Sequence, residues 1–174
     1  MRIEVLDERG HEPALLGLSL SYQQDPEKMP EVARRLALKE GGHNKFLESI
    51  MLWLDVTAPR YWWQQFDTYR VGVTKQSEST MHTMTKHPLT QRDFEHPVPP
   101  EILTRLNDLI AKKDWKQVKW LLPEGFLQRR IICLNYMALK RMIRQRATHK
   151  LEEWHTFIDQ VLGQVAHPEF LPED

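Results

Sequence analysis

The chain has 174 residues, 41% of them hydrophobic and 28% charged, enough for one covered core and short for two independent domains. Its 24 Lys and Arg balance 24 Asp and Glu, which excludes attraction of the whole molecule to nucleic acid or an anionic membrane. The single cysteine, Cys133, excludes an intramolecular disulfide, and no apolar stretch reaches the roughly 20 residues that span a bilayer. Residues 1–4 lack a signal-peptide core, so we expect a cytoplasmic protein.

The first 66 residues predict a mixture of strands and helices. Residues 1–6 alternate as a strand does, and residues 17–22 predict a second short strand. A helix with Pro30 in its first turn follows, and residues 46–56 form the clearest strand because their apolar side chains alternate between two faces. Large aromatic residues at helical spacing predict a short helix over residues 61–66.

The remainder predicts helices after one long polar segment. Residues 70–100 have no sustained period and are typical of a functional loop with short helical pieces. Residues 102–110 form an amphipathic helix, and Asp114 caps another. A longer helix is predicted over residues 126–146, and a last one over residues 151–165.

Basic residues recur along these last two predicted helices. They are Arg129, Arg130, Lys140, Arg141, Arg144, Arg146 and Lys150. Such a run is usually a solvated face. However, Asn135 shares a helical level with inward residues, and a buried amide needs partners that a phosphate or a pyrimidine edge can supply. A solvated face and a local anion site both remain open.

Several short motifs occur in the order and at the spacing of one enzyme family. In the last third of the chain they are Leu122-Pro123, Arg129, Asn135, Leu139 and Arg146. Earlier in the chain they are Gly42-His43, Leu47-Glu48, Val56-Thr57-Ala58-Pro59, and Gln65 shortly before Arg70. Over residues 43–162 the chain resembles the flavin-dependent thymidylate synthases. The resemblance implies a single α+β domain over residues 1–174, with an antiparallel sheet packed against several helices.

The chain departs from that family's hallmark, which is Arg-His-Arg, seven residues, then Ser-x-Arg-Tyr. Thr68-Tyr69-Arg70 stands at the first part, and Ser79-Thr80-Met81-His82 stands one residue late at the second. Met81 replaces an arginine that contacts the nucleotide phosphate in the family, and such a contact is worth about 1.5 to 3 kcal/mol. Lys119 keeps a positive charge where the family has another phosphate-contacting arginine.

The resemblance also implies an activity, the conversion of dUMP or a related pyrimidine deoxynucleotide to dTMP with FAD, NADPH and methylenetetrahydrofolate. Arg146 is the implied catalytic residue, placed where negative charge develops on the pyrimidine. The implied substrate-binding residues are Gln65, Ser79, Lys119 and Arg146. The implied FAD-binding residues are His43, Tyr69, Arg70, Asn135 and Arg141.

The family's active sites are shared between the subunits of a homotetramer, so we expect an oligomer. We also expect Asn135, Lys119 and Arg146 to line a common cavity with Arg70 from the same or a neighbouring chain. No enzyme nucleophile is required, which suits Cys133 in an apolar run as a buried, unreactive thiol.

Three other interpretations bear on function. The altered hallmark also fits a catalytically silent relative that binds flavin or nucleotide as a regulatory or structural protein. His82, His87 and His96 lack the compact spacing of zinc motifs, so we predict no metal site. The aromatic and basic residues at 61–63 and 140–146 could bind single-stranded nucleic acid, but zero net charge argues against a polymer partner.

Overall fold

The computed structural model of the protein describes residues 1–172, and this range contains four β-strands and eight α-helices. The strands are β1 (Arg2–Arg9), β2 (Met51–Pro59), β3 (Val73–Ser77) and β4 (Leu127–Asn135). The helices are α1 (His11–Tyr22), α2 (Met29–Ala37), α3 (Arg60–Phe66), α4 (Thr80–Thr83), α5 (Pro100–Ala111), α6 (Trp115–Leu121), α7 (Tyr136–Arg146) and α8 (Glu152–Leu162).

The four strands form one sheet in the order β1-β2-β4-β3. Hydrogen bonds from Tyr136 N to Ile50 O, 2.9 Å, and from Arg60 N to Phe126 O, 3.1 Å, show that β2 and β4 are antiparallel. Asn135 N donates to Gly72 O at 3.1 Å, and Glu78 N donates to Arg129 O at 3.1 Å, so β3 is antiparallel to β4 as well. The α+β class with an antiparallel sheet is confirmed.

The chain forms two compact units. Unit 1 comprises Met1–Arg2, Val56–Thr68 and Gln76–Arg130, and unit 2 comprises Ile3–Asp55, Tyr69–Lys75 and Ile131–Asp174. Each of the four strands contributes residues to both units. The single domain over residues 1–174 stays a prediction.

Unit 1 has a core of aliphatic and aromatic side chains from α5, α6 and the segments before and after them. Its members are Met84, Leu89, Phe94, Val98, Leu106, Leu109, Ile110, Val118, Leu122 and Phe126. Asp114 caps α6 as expected, since its side chain accepts from Gln117 N at 3.1 Å. On α3, the buried Trp63 donates from its indole nitrogen to Gln128 O at 2.9 Å.

In unit 2, two cationic side chains of α7 cap the C-terminal end of α2. The buried Lys140 ammonium donates to Ala37 O at 2.6 Å and to Lys39 O at 3.0 Å. Arg144 donates to Leu38 O at 2.9 Å and to the Glu40 carboxylate. Because the last carbonyls of a helix have no partner within the helix, these two side chains supply what the α2 backbone lacks.

Three sequence predictions of local structure are wrong or incomplete. Residues 17–22 belong to helix α1, because Ala14, Leu15 and Ser19 are buried at helical spacing and override the short alternation. Residues 127–135 form strand β4, which has a hydrogen-bonded neighbour on each side. A half-buried apolar run in an interior strand looks like a helix segment in sequence. The segment predicted as a loop contains strand β3.

Candidate functional site

Helix α7 presents two different faces. Its buried residues include Leu139, Met142 and Ile143, while Arg141 and Arg144 are exposed. Asn135 caps the start of the helix, because its side-chain oxygen accepts from Ala138 N at 2.9 Å. Arg146 is the last residue of α7, where a cation interacts favourably with the negative end of the helix dipole.

Arg146 is held between two aromatic rings. Its Nε donates to the Tyr69 hydroxyl at 2.8 Å. Its guanidinium carbon lies 5.5 Å from the Tyr69 ring centroid and 4.7 Å from that of Trp154. Both distances are within the range of cation–π attraction, about 0.5 to 2 kcal/mol each. The structure therefore brings together two of the predicted site residues, Tyr69 and Arg146, and orients the guanidinium plane.

Trp154 and His149 join this cluster without having been predicted as site residues. Trp154 is fully buried at the start of α8, and its ring meets that of Tyr69 edgewise at 5.9 Å. The His149 Nδ1 accepts from Leu151 N at 3.1 Å. Burial, followed by the charges of Arg146 and His155, lowers the pKa of His149, so its imidazole is neutral at pH 7. Its position three residues after Arg146 was the available sequence signal.

The segment from Tyr69 to Gly72 is attached to both ends of α7. Tyr69 contacts Arg146 at the end of the helix, and Gly72 accepts from Asn135 at its start. Gly72 has a φ of +72°, and a Cβ there would lie 2.8 Å from the Asn135 side-chain amide. Close approach and backbone conformation both require glycine at this position.

Asn135 and Arg146 do not converge within one chain. Eleven residues separate them along α7, which corresponds to about 16 Å of helix axis. Within a single chain, Asn135 and Arg146 therefore do not line one cavity, and the common cavity that includes residues of a neighbouring chain stays a prediction. Arg70 is exposed on the attached segment, and Arg141 is exposed on α7.

His43 lines a cavity of about 440 Å³ in unit 2. Helix α1 supplies one wall of it, and residues 42–49 with Leu36 of α2 supply the rest. Its lining mixes aromatic, aliphatic and hydroxyl groups, among them Ala14, Leu18, Ser21, Tyr22, His43 and Phe46. Small-molecule sites commonly have this size and mixed character. His43 is the one predicted site residue that the cavity includes.

The other three predicted residues lie in unit 1, on or beside three helices. Gln65 is half-buried on α3, and its backbone oxygen accepts from the Thr68 hydroxyl at 2.7 Å. Ser79 is the N-cap residue of α4, and Lys119 is exposed on α6, which packs against α4. Met81, the altered hallmark position, is 49% exposed.

Cys133 lies in strand β4 rather than in a helix. Burial raises the pKa of its thiol, which favours the protonated and unreactive form. Within residues 1–172, no group of three His, Cys, Asp or Glu side chains is arranged to hold a metal ion. No helix in the same range has the length and apolar character needed to cross a membrane.

No protein-family model matches the chain, and no curated protein matches it. Among solved structures, it is similar to two crystal structures of a flavin-dependent thymidylate synthase from Helicobacter pylori, each with FAD and dUMP. One has a TM-score of 0.81 at 16% identity, covering 98% of this chain and 96% of the other. The second has a TM-score of 0.82 at 15% identity, covering 100% and 98%. The chain therefore has the fold of these enzymes.

Proposed function

We propose that this chain is a flavin-dependent enzyme that converts dUMP, or a related pyrimidine deoxynucleotide, to dTMP. The observation that carries the proposal is the Arg146 guanidinium held between Tyr69 and Trp154, in a chain that has the thymidylate synthase fold. NADPH as reductant and methylenetetrahydrofolate as one-carbon donor belong to the proposal.

Arg146 is the proposed catalytic residue. A guanidinium group stays charged throughout the working pH range, and its planar fork matches the edge of a pyrimidine ring. Positive charge placed where the ring gains negative charge stabilises the transition state more than the ground state. Tyr69 and Trp154 hold the guanidinium in one orientation before substrate arrives, which reduces the reorganisation needed during the reaction.

FAD fits the residues around His43. The rings of Tyr22 and Phe46 suit a planar conjugated system, and the Ser21 hydroxyl and His43 can bond its polar atoms. When bound, FAD supplies the hydride that completes the new methyl group. Of the residues that we assign to holding FAD, His43 lines this cavity, while Tyr69, Arg70, Asn135 and Arg141 lie elsewhere in unit 2.

Gln65, Ser79 and Lys119 are the proposed contacts to the nucleotide. Lys119 supplies one point charge for a phosphate. Met81 has no donor, so a bond that would contribute about 1.5 to 3 kcal/mol is missing at that position. We therefore expect weaker binding of a simple nucleotide monophosphate than an arginine at position 81 would give.

A second candidate is a catalytically silent flavin- or nucleotide-binding protein. It is favoured by two features of the altered hallmark, since the Tyr69 hydroxyl already occupies Arg146 Nε and Met81 cannot bond a phosphate. In this alternative the aromatic cluster stabilises the unit, and the cavity beside His43 keeps a ligand without turnover.

A homotetramer with shared active sites is part of the proposal, as is a cytoplasmic location. Helix α1 supports self-association, because it exposes Leu16 to 53% and Leu20 to 73%. These two leucines lie one helical turn apart, and a contiguous exposed apolar patch is typical of an interaction surface. A monomer in sedimentation at all concentrations would rule out active sites shared between subunits.

Two measurements on the purified protein test the function. The first is the visible absorption spectrum with and without added FAD, where a retained flavin spectrum is expected. The second is dTMP formation from dUMP with FAD, NADPH and methylenetetrahydrofolate. Bound flavin without product from any pyrimidine deoxynucleotide would reject the enzyme and leave the silent relative. Failure to bind FAD, with no thermal shift, would reject flavin dependence altogether.

A further inference from the structure

Two tryptophans on α6 are exposed to an unusual degree. The Trp120 side chain is 81% exposed and that of Trp115 is 45% exposed. Tryptophan normally buries most of its surface, because its ring gains more from leaving water than any other side chain. A nearly uncovered ring therefore marks a surface that a partner can cover.

On one side of this helix, two lysines lie between the two tryptophans. At about 100° per residue, Trp115, Lys116, Lys119 and Trp120 fall within an arc of about 140°. Val118, which is buried in the core of unit 1, lies outside that arc. We call these four residues, together with Lys112 and Lys113, the α6 face.

The α6 face is strongly and locally positive. Residues 112–120 include four lysines, all exposed, and one carboxylate, Asp114. That carboxylate is engaged by the helix backbone, because it accepts from Gln117 N at 3.1 Å. Although the chain has zero net charge, these lysines form a local positive cluster of the kind that neutralises phosphates.

We propose that the α6 face binds single-stranded nucleic acid, with unpaired bases stacked on Trp120 and Trp115 and phosphates on the lysines. Stacking platforms interleaved with cations are what sequence-tolerant single-strand binding requires. A membrane surface needs the apolar residues segregated from the charged ones, and here lysines stand between the two rings. An acidic peptide would use the lysines and leave the rings uncovered.

The proposal rests on α6 and not on the flavin chemistry, so the two can fail separately. Lys119 is shared with the proposed nucleotide contacts, and for that reason Lys116 and Trp120 are the residues to change. The aromatic segment at residues 61–63 differs from the α6 face, since Trp62 and Trp63 are fully buried.

The test is fluorescence anisotropy with a labelled oligothymidylate of about 12 nucleotides, a length suited to one small site. We expect saturable binding. The logarithm of the association constant should fall with the logarithm of the salt concentration at a slope of about −3, because four lysines contact phosphates of a single strand. Trp120→Ala should weaken binding about tenfold or more, Trp120→Phe should restore part of it, and Lys116→Ala should lower the slope by about 0.7. Lys28→Ala, an exposed lysine in unit 2, is the matched control and should change nothing.

Four outcomes would overturn the proposal. They are no saturable binding at low salt, equal affinity for a duplex of the same sequence, unchanged affinity in Trp120→Ala, and binding to anionic phosphatidylserine vesicles in place of the oligonucleotide. A change in sedimentation coefficient on Trp120→Ala would instead assign the face to contact between copies. Because Trp120 is exposed, the thermal midpoint of the Trp120→Ala variant should equal that of the unaltered protein. This measurement separates a loss of binding from a loss of folding.

Discussion

Helix α7 carries two cationic regions that look alike in sequence and differ in what surrounds them. Lys140 in its middle and Arg144 in its last turn bond carbonyls at the end of α2 and just beyond it, and both contact Glu40. At its end, Arg146 lies against the rings of Tyr69 and Trp154. Lys140 and Arg144 donate hydrogen bonds to main-chain carbonyls and so stabilise the fold. Arg146 places an oriented charge among aromatic rings, which is suited to recognising a planar ligand.

The function of each residue in a basic run therefore depends on what its side chain contacts. Burial lowers the pKa of Lys140, while its bond to Glu40 opposes that shift. The same bond to Lys140 lowers the pKa of Glu40. Lys140 is therefore a structural cation, and substituting it should change stability, whereas substituting Arg146 should change turnover.

The largest expected effect is on turnover, at Arg146. Arg146→Lys keeps the charge but loses the planar fork, and we expect product formation to fall about 100- to 1000-fold, the range found when one transition-state donor is removed. The measurement is the initial rate of dTMP formation. Gln145→Lys, at the exposed neighbouring position, is the control and should keep its rate. Equal rates in both variants would remove Arg146 from the mechanism.

The second effect is on stability, at Lys140. Lys140→Met leaves the carbonyls of Ala37 and Lys39 without their charged donor, so we expect the free energy of unfolding to fall by about 3 kcal/mol. Chemical denaturation gives the value, with Gln145→Met as the exposed control. If the loss were as small as in the control, α2 would not depend on this ammonium group.

A smaller effect is expected where α7 begins. Asn135→Ala removes the side chain that caps Ala138 N and should cost about 1 kcal/mol, whereas Asn135→Asp keeps the cap and should cost less. FAD affinity in the same two variants tests the proposed cofactor role. If FAD affinity falls in the two variants only in proportion to their loss of stability, Asn135 acts as a capping residue and does not contact the cofactor.

The smallest effect is a dependence of stability on pH. Burial, and then the charge of His167 stacked at 3.6 Å, lowers the pKa of His11 from its usual 6.5, and burial also lowers that of His149. The unfolded chain therefore binds more protons below that value, so stability should fall as pH decreases through and below 6.5. Thermal midpoints across this range measure the fall.

His11→Phe should reduce that pH dependence, because it removes the imidazole that titrates. The packing should be kept, since a phenyl ring can still stack beside Phe170, which lies 5.6 Å from the His11 ring. The remaining dependence then belongs to His149. An unchanged slope would show that protonation of His11 costs the folded state nothing.

Local chemistry was enough to predict many elements. Pro30 marked the start of α2, and Asp114 marked the start of α6. These signals act within a few residues, and no distant contact has to be known. The ordered motifs likewise led to the correct fold, although the chain shares only 15% and 16% identity with the two structures.

Strand β4 and helix α1 show where that approach stops. Ile131, Ile132 and Leu134 are compatible with a helix, and it is pairing with β2 on one side and β3 on the other that makes them a strand. In α1, the positive φ of Gly10, where a Cβ would collide with Ser49 O, precedes a helix that alternation alone does not reveal.

The ordered motifs and the family resemblance that they carry pointed to the class of the fold and to the candidate residues Arg146, Tyr69 and Asn135, while the apolar neighbours of Cys133 predicted an unreactive thiol. Only the tertiary structure decided which cations are structural, that Trp154 forms part of the Arg146 cluster, and that Asn135 and Arg146 lie at opposite ends of one helix. The physical reason is that partners of buried charges and rings come from distant parts of the chain, which no sequence window contains.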